Sequence, residues 1–312
     1  MGSEPATTKI LVTGAGGQLG LELCAMGEQA AAGERGKAPH GNRGAGAAGA
    51  SGLHIIGLSR SQLDITDLQQ CREALALHQP QAVIHCAAYT AVDQAEAEPD
   101  AAYRINAAGT RNLALAAREH HAKLAYISTD YVFDGTSAVP YNEADRPNPR
   151  TVYGKSKLAG EQLVQTLHDR YFIVRTSWVY GRYGRNFVQT MLQLGELRDE
   201  LKVVSDQLGS PTYTFDLARF LLELVQTDYY GIYHASNQGT CSWYEFAQAI
   251  FHYAGNTRTQ VLPCSTDEFP RPAPRPAYSM LDHTAIRTNG FTLLPPWRES
   301  LQHCIHSLNT AP

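Results

Sequence analysis

The chain has 312 residues, of which 43% are hydrophobic and 18% are charged, and its formal net charge is −4. This composition provides apolar material for a sizeable core, and the slightly acidic charge gives no electrostatic basis for binding nucleic acid. The sequence shows no apolar run near the roughly 18 residues of a membrane span and no signal-peptide pattern, so we expect a cytoplasmic protein without a membrane partner.

Cysteine and histidine spacing gives no indication of a metal site or a disulfide framework. The six cysteines are scattered without a C-x-x-C pair, and the 12 histidines show no ligand spacing. The adjacent His120 and His121 would point in different directions on a helix. We therefore predict no bound metal and no structural disulfides.

The first predicted element is an apolar strand at Ile10–Val12, followed by three regularly spaced glycines and a helical pattern. The G-x-x-G-x-x-G spacing is related to the dinucleotide-binding fingerprint. We predict that Gly14 allows a tight turn, Gly17 lets the backbone approach a pyrophosphate at the helix N-terminus, and Gly20 lets helix and strand pack closely. The alternative is a glycine-rich turn with a purely structural role.

Residues 27–52 interrupt the pattern between the first helix and the second strand. Eight of these 26 residues are glycine and eight are alanine. Such a segment has little to bury, so we predict a flexible insertion. Its basic residues, Arg35, Lys37 and Arg43, leave open a second reading, in which it is a flap over cofactor phosphates.

Beyond the insertion, strands alternate with amphipathic helices. Such alternation predicts an α/β fold with a doubly wound parallel sheet of the Rossmann type, in which ligands bind at the carboxyl ends of the strands. The predicted strands are 53–58, 82–86, 123–127 and 171–174, and the predicted helices are 67–78, 101–120 and 152–167.

The prediction divides the chain near residue 176. Residues 1–176 would form an NAD(P)-binding domain, and residues 177–312 would mainly form a smaller substrate-binding lobe. A segment near 201–236 is expected to return to the first domain, with short strands at 201–204 and 230–234 and a helix at 215–227. The active cleft would then lie between the lobes.

Tyr153 and Lys157 have a Tyr-x-x-x-Lys spacing within a predicted helix. Residues four positions apart lie one above the other on a helix. An ammonium beside a phenol lowers the pKa of the tyrosine from about 10, so we expect Tyr153 to exchange a proton with a substrate oxygen. The alternative is that both side chains only share a solvated helix face.

Several segments together resemble the extended short-chain dehydrogenases and reductases. These segments are Val12-Thr-Gly with the two later glycines, His85-Cys-Ala-Ala-Tyr-Thr90, Asn106-Ala-Ala-Gly-Thr-Arg-Asn112, Ser128-Thr-Asp-Tyr-Val-Phe-Asp-Gly135 and the Tyr153/Lys157 pair. Narrower stretches are similar to the dTDP-4-dehydrorhamnose reductase family, and the similarity covers nearly the whole chain. They are Thr90-Ala-Val-Asp93, Ser128–Phe133, Arg175-Thr-Ser-Trp-Val-Tyr180, Asn186–Met191 and Asp206-Gln-Leu-Gly-Ser-Pro-Thr212.

The resemblance implies reduction of the 4-keto group of dTDP-4-dehydro-β-L-rhamnose by NADPH or NADH, which yields dTDP-L-rhamnose for surface polysaccharides. Tyr153 would be the proton donor, and Lys157 would also hold the nicotinamide ribose. Thr129 would hydrogen-bond the substrate carbonyl. We favour Thr129 over Ser128 because the superfamily places this hydroxyl two positions after the strand, although a hydroxyl that only caps the strand end is the alternative.

The resemblance also assigns residues to the cofactor. The implied contacts come from Gly14, Gly17, Gln18, Leu19 and Gly20 near the pyrophosphate, Ser59 at the ribose, Asp64 and Ile65 at the adenine, and Ala87, Ala88, Tyr89, Thr90 and Asn106 along the cofactor.

Two of these residues, Asp64 and Asn106, have alternative roles, and Arg60 is a further cofactor candidate on physical grounds. Asp64 could equally cap a helix or lie in a loop. Arg60 follows the second strand, where an acidic residue would select NAD, and its guanidinium favours the 2′-phosphate of NADPH. Asn106 has the alternative role of bracing the fourth strand.

Candidate substrate residues lie after the fourth and fifth strands. The family places Thr129, Asp130 and Trp178 against the sugar, where an indole offers an apolar face and an N–H donor. Arg185 would bind the diphosphate and Asn186 would lie beside it. Core packing is the alternative for Trp178, and simple exposure is the alternative for Arg185.

Two other functions remain open at the sequence level. One is another nucleotide-sugar epimerase, reductase or dehydratase of this superfamily, although Tyr131 follows Asp130 where dehydratases usually carry a second acid. The other is a non-enzymatic NADP-binding protein that resembles the regulatory subunit of methionine adenosyltransferase. The sequence also leaves open the nucleotide on the sugar and whether the protein forms a homodimer.

Overall fold

The computed structural model describes residues 7–31 and 52–310. Its strands are β1 (Thr8–Thr13), β2 (Leu53–Leu58), β3 (Ala82–His85), β4 (Lys123–Thr129), β5 (Tyr171–Thr176), β6 (Val179–Tyr180), β7 (Glu200–Val204), β8 (Leu208–Gly209), β9 (Thr212–Tyr213), β10 (Gly231–His234), β11 (Cys241–Ser242) and β12 (Gln260–Cys264). Its α-helices are α1 (Gln18–Ala31), α2 (Leu68–His78), α3 (Val92–Ala97), α4 (Pro99–Tyr103), α5 (Thr110–Glu119), α6 (Val152–Leu167), α7 (Phe187–Leu197), α8 (Thr214–Leu224), α9 (Trp243–Tyr253), α10 (Thr284–Thr288) and α11 (Trp297–Thr310).

A six-stranded parallel sheet forms the centre of the molecule, in the order β10-β5-β4-β3-β1-β2. One face packs against an apolar cluster that includes Leu23 of α1 and Leu217 of α8. The other face packs against residues of α2, α5 and α6, among them Leu75 and Leu113. The predicted α/β fold with a doubly wound parallel sheet is confirmed.

Residues 27–31, the first part of the predicted flexible insertion 27–52, are helical, because α1 continues to Ala31. Gly27 lets this helix lie closely against β2. A Cβ built on Gly27 would be only 2.8 Å from the Cβ of Ile55. Most of the predicted insertion, including the three basic residues of the proposed flap, lies outside the described residues.

The helix predicted at 101–120 is divided into three parts. Helix α4 ends at Tyr103, a π-helical turn spans Arg104–Gly109, and α5 follows. The hydroxyl of Thr110 donates to the carbonyl of Asn106 at 2.7 Å across this turn. Single π-helical turns often occur at functional sites, and this one presents Asn106 to the loop after β3.

The later part of the chain contributes both to the central sheet and to a separate cluster. Strand β10 pairs with β5 at the sheet edge, whereas β7 pairs with β12 outside the sheet. A separate core formed by α7, α9 and α11 surrounds Phe246. The division into two lobes near residue 176 stays a prediction. No helix within the described ranges has the length and hydrophobicity needed to cross a bilayer.

Candidate active site

The loop between β1 and α1 forms a tight cradle at the carboxyl edge of the sheet. Gly14 has a φ of +69°, and a Cβ built on it would lie 2.6 Å from the backbone nitrogen of Ala87. A Cβ on Gly20 would lie 2.4 Å from the carbonyl oxygen of Gly14. Gly16 and Gly17 are exposed. The free backbone N–H groups that begin α1 are therefore accessible to an anionic group such as a pyrophosphate.

Gln18 and Leu19 present different groups to this cradle. The amide oxygen of Gln18 is buried and has no hydrogen-bond partner within the described part of the chain, which is consistent with a polar ligand at this position. The side chain of Leu19 is buried in the core. Only the backbone of Leu19 can therefore contribute to a cofactor site.

The residues after β2 are those predicted to bind the adenosine. Ser59 Oγ donates to Gln62 Oε1 at 2.8 Å, and Arg60 is exposed. The helix cap here is Asp67, whose carboxylate accepts from two backbone N–H groups at the start of α2. Asp64 is therefore a loop carboxylate.

Asp64 and Ile65 are already engaged within the protein. Asp64 accepts hydrogen bonds from the backbone N–H and the hydroxyl of Thr66, which lower the pKa of its carboxyl group. The Ile65 side chain is buried, and its carbonyl oxygen accepts from Asn112. The predicted adenine contact would need the unused Asp64 oxygen or the Ile65 backbone N–H.

The segment after β3 is held in place by Asn106. The amide of Asn106 accepts from the backbone N–H of Tyr89 at 2.8 Å and donates to its carbonyl at 3.1 Å. It also donates to Ser156 of α6 at 2.9 Å. The alternative considered for Asn106, bracing of the fourth strand, is wrong, because its side chain braces the loop after β3. Residues 87–89 are partly exposed and Thr90 is exposed at the same edge.

Tyr153 lies at the start of α6 and meets the end of β4. Its side chain is 9% exposed. Burial raises the pKa of Tyr153 to about 12, a hydrogen bond with Thr129 opposes this rise, and the charge of Asp130 adds to it. Strand β4 extends to Thr129, two residues further than predicted. The phenol and the threonine hydroxyl thus converge on one point at the edge of the sheet.

Lys157 lies one turn after Tyr153, but its ammonium group does not act on the phenol in the expected way. It donates to the carbonyl of Ile127 at 2.7 Å and lies 4.0 Å from the centre of the Tyr126 ring. Burial lowers the pKa of Lys157 to about 7, while the charge of Glu161 opposes this. The expected lowering of the Tyr153 pKa by Lys157 is therefore wrong for this conformation, because burial of the phenol dominates.

Asp130 provides a buried carboxyl group beside this pair. One of its oxygens accepts from Thr129 Oγ1 at 2.9 Å, and the other has no partner within the described residues. Burial raises the pKa of Asp130 to about 6. The unpartnered oxygen can accept a hydrogen bond from a ligand hydroxyl group.

Trp178 has an unusual backbone and a tryptophan partner. Its φ is +48°, which is rare for a bulky residue and is often found at functional sites. Its ring stacks on Trp243 with 3.6 Å between centroids, and a Cβ on Gly209 would collide with it. The partly buried indole is thus held in one orientation. Trp243 was not predicted, because only the fold brings it beside Trp178.

Arg185 and Asn186 follow β6 in a turn that reaches the start of α1. The amide of Asn186 caps α7 through its oxygen and donates to the carbonyls of Gly181 and Gly184. The side chain of Asn186, which was predicted to contact the substrate, is therefore already hydrogen-bonded within the protein. Arg185 is exposed, and its neighbour Gly184 packs on the Gln18 side chain. Arg185 therefore follows a residue that lies beside the loop between β1 and α1.

An ion pair that the sequence did not reveal lies near the candidate site. Arg275 donates to Asp93 at 2.8 Å, and the backbone N–H of Ala273 donates to the same carboxylate. This pair connects α3 with a proline-rich segment 180 residues later. Within the described residues, no group of three or more His, Cys, Asp or Glu side chains is arranged to hold a metal.

Comparisons with known proteins agree along nearly the whole chain. The family model described as RmlD substrate binding domain matches residues 8–310. The spore coat polysaccharide biosynthesis protein SpsK of Bacillus subtilis is 45% identical over 304 residues, which cover 97% of this chain and 99% of that protein. A dTDP-4-dehydrorhamnose reductase of Mycolicibacterium smegmatis is 42% identical over 300 residues, with coverages of 95% and 85%.

A solved structure gives the same result. The crystal structure of dTDP-4-dehydrorhamnose reductase from Bacillus anthracis in complex with NADP has a TM-score of 0.87 and 46% identity, and covers 96% of this chain and 99% of that one. The resemblance inferred from the motifs is confirmed: the chain belongs to the dTDP-4-dehydrorhamnose reductase family.

Proposed function

We propose that the protein reduces the 4-keto group of dTDP-4-dehydro-β-L-rhamnose to give dTDP-β-L-rhamnose, with NADPH or NADH as the reductant. The observation that carries this proposal is the hydrogen bond between the Tyr153 phenol and the Thr129 hydroxyl, at the same carboxyl edge of the sheet as the glycine cradle. Family members at 42% and 46% identity bear the name of this reductase.

The residues of the cradle fit a dinucleotide cofactor. Gly14 and Gly20 leave no room for a Cβ, the exposed Gly16 and Gly17 open the N-terminus of α1, and Gln18 offers an unpartnered amide oxygen. When bound, the reduced nicotinamide supplies the hydride. Lys157 would hold the adjoining ribose, its ammonium exchanging the Ile127 carbonyl for a ribose hydroxyl.

Tyr153 and Thr129 would act on the substrate carbonyl oxygen. A phenol with a pKa of about 12 keeps its proton at neutral pH, so it can donate that proton as negative charge develops on the oxygen. The Thr129 hydroxyl would stabilise the same oxygen by a hydrogen bond. In this structure the single hydroxyl proton of Thr129 is donated to Asp130 at 2.9 Å, so the hydroxyl would turn from Asp130 to the substrate oxygen to make this bond.

The sugar would lie against Trp178. The Trp178 indole, held by Trp243, offers an apolar face suited to a deoxysugar. Arg185 lies near the cofactor loop. Its positive charge would attract a phosphate group of the cofactor or of the substrate, and we assign it no other role. A cytoplasmic location and a homodimer stay predictions.

Spectrophotometry at the NADPH absorbance band tests the proposed reaction. The purified protein should oxidise NADPH only when dTDP-4-dehydro-β-L-rhamnose is present. Tyr153→Phe should lower kcat by about 100-fold or more, the usual contribution of a positioned acid, with little change in NADPH affinity. Tyr103→Phe, at a residue 40% exposed on α4, is the matched control and should keep wild-type kcat.

The result can also contradict the proposal. Tight NADP binding without any oxidation would favour the regulatory alternative, and turnover of a different nucleotide sugar would favour another enzyme of the superfamily. Full activity of Tyr153→Phe would remove Tyr153 from the proton-donor role.

A further inference from the structure

A buried carboxylate, Glu161, lies one helical turn after Lys157 and takes no part in the chemistry proposed above. Its side chain is 1% exposed. Oε1 accepts from Ser128 Oγ at 2.5 Å and from Arg175 Nε at 2.9 Å, and Oε2 accepts from Arg175 Nη2 at 2.7 Å. Three charge-assisted hydrogen bonds at one buried carboxylate form a specific and directional arrangement.

The donors to Glu161 lie on the strands that carry the candidate site. Ser128 directly precedes Thr129 at the end of β4. Arg175 lies near the end of β5, three residues before Trp178. Glu161 itself belongs to α6, which carries Tyr153 and Lys157. One carboxylate therefore connects the three elements from which the proton donor, the carbonyl-binding hydroxyl and the indole project.

Charge gives Glu161 a second connection to the site. Four side chains lie around the Lys157 ammonium. They are Glu161 on the same helix, His85 and Cys86 at the end of β3, and Tyr126 on β4. Glu161 has the largest effect among those that favour the charged lysine. The neighbouring His85 is buried and neutral, because burial lowers its pKa to about 3.

We propose that Glu161 is a positioning residue for the reduction site: it fixes the ends of β4 and β5 against α6, and its negative charge lies one helical turn from Lys157. This inference rests on the proposed function for its kinetic consequences. It also explains Ser128, which the sequence left as the less favoured hydroxyl: its side chain donates to Glu161, whereas that of Thr129 donates to Asp130, which is itself a candidate substrate residue.

Glu161→Gln in the full chain tests the proposal, because it removes the charge and keeps the size of the side chain. In the wild-type protein, NADPH binding and kcat/KM should both weaken as the pH rises and Lys157 loses its proton. We call this part of each pH profile the Lys157 limb. The variant should move both limbs towards lower pH by about one unit, since the loss of a nearby opposite charge makes the ammonium easier to deprotonate. NADPH fluorescence measures the binding limb without any sugar substrate.

Asp216→Asn is the matched control. Asp216 is another buried carboxylate, which accepts from Ser300 and Asn237 on the opposite side of the sheet. This variant should leave both pH limbs at the wild-type position. An equal displacement of the limbs in Asp216→Asn and Glu161→Gln would overturn the specific role of Glu161.

A second variant separates positioning from simple stabilisation. Glu161→Gln leaves the Arg175 guanidinium buried without its partner, so this protein is expected to be less stable. Glu161→Gln combined with Arg175→Met removes both charges and should recover stability while the limbs stay displaced. If the double variant has wild-type limbs and kcat, the pair is only structural and the proposal is wrong.

The proposed function can fail independently of this inference. Absence of sugar reduction by the wild-type protein would contradict the reductase activity, whereas a displaced NADPH-binding limb in Glu161→Gln would still support the effect of Glu161 on Lys157. If the wild-type protein reduces the sugar and Glu161→Gln keeps both limbs at the wild-type pH, the inference about Glu161 is refuted and the proposed function is not.

Discussion

Replacement of Gly20 by Ala probes the cofactor cradle most directly. A Cβ at this position would lie 2.4 Å from Gly14 O and 2.7 Å from Ala15 Cα. Both atoms belong to the backbone, so no flexible side chain can move aside. The loop and the start of α1 must separate, and this separation would displace the N–H groups that are proposed to bind the pyrophosphate.

The expected magnitude follows from two opposing contributions. Overpacking of a tight contact costs about 1–3 kcal/mol, while alanine is better than glycine inside a helix by about 1 kcal/mol. We therefore expect the free energy of unfolding to fall by about 0–2 kcal/mol. NADPH should bind at least about tenfold more weakly, which corresponds to about 1.4 kcal/mol of lost binding free energy.

Two further glycines provide matched controls for this experiment. A Cβ on Gly16, in the same loop, meets nothing within 4 Å, so Gly16→Ala should keep wild-type stability. A Cβ on Gly195 of α7 would lie 2.4 Å from Phe251 Cε1, so Gly195→Ala should lose stability without losing NADPH affinity. Urea denaturation and NADPH fluorescence titration measure the two quantities.

Either of two results would contradict the expected effect of Gly20→Ala on NADPH binding. Unchanged stability and affinity in Gly20→Ala would mean that the cradle accommodates a Cβ. Equal losses of NADPH affinity in Gly20→Ala and Gly195→Ala would show that binding responds to general destabilisation and that the geometry of this loop is unimportant.

Asp130, Arg60 and Trp243 give three more expected outcomes. Burial raises the pKa of Asp130 to about 6, so the stability that its protonated form contributes is lost as the pH rises through 6. The free energy of unfolding of Asp130→Asn should therefore gain about 2–3 kcal/mol relative to that of the wild type between pH 4 and 7.5 in urea denaturation. A difference in unfolding free energy that stays constant with pH would contradict this. Arg60→Glu should lower the NADPH/NADH ratio of kcat/KM, and an unchanged ratio would exclude Arg60 from 2′-phosphate binding. Trp243→Ala removes the stacking partner of Trp178 and should raise KM for the sugar nucleotide by about fivefold, because a stacked aromatic pair contributes about 1 kcal/mol beyond its buried area. A higher NADPH dissociation constant instead would place the pair at the cofactor.

The strands of the central sheet and the helix of the Tyr153/Lys157 pair could be predicted because their signals are local. β2 and α6 have the predicted bounds. Apolar runs and helical periodicity depend only on neighbouring residues. The π-helical turn at Arg104–Gly109 was not predicted; here Gly109 packs on Ile65, a contact between distant parts of the chain that no local pattern reveals.

The electrostatics of the site could not be predicted from spacing. The interval of four residues correctly placed Tyr153 and Lys157 on one helix, but it contained no information on burial. Burial decides both pKa shifts. The Ile127 carbonyl that binds the Lys157 ammonium and the Trp243 ring that supports Trp178 lie 30 and 65 residues from their partners in the sequence.

The raised pKa of Tyr153 bears on the direction of the proposed reaction. A proton donor for carbonyl reduction must keep its proton until negative charge develops on the substrate oxygen. A buried phenol with a pKa of about 12 does so at neutral pH, and an oxygen with alkoxide character is basic enough to take that proton. A phenol already ionised at neutral pH would instead suit removal of a proton from an alcohol. In this conformation the Lys157 ammonium binds the Ile127 carbonyl, and the phenol therefore enters the proposed reaction in the protonated form that carbonyl reduction requires.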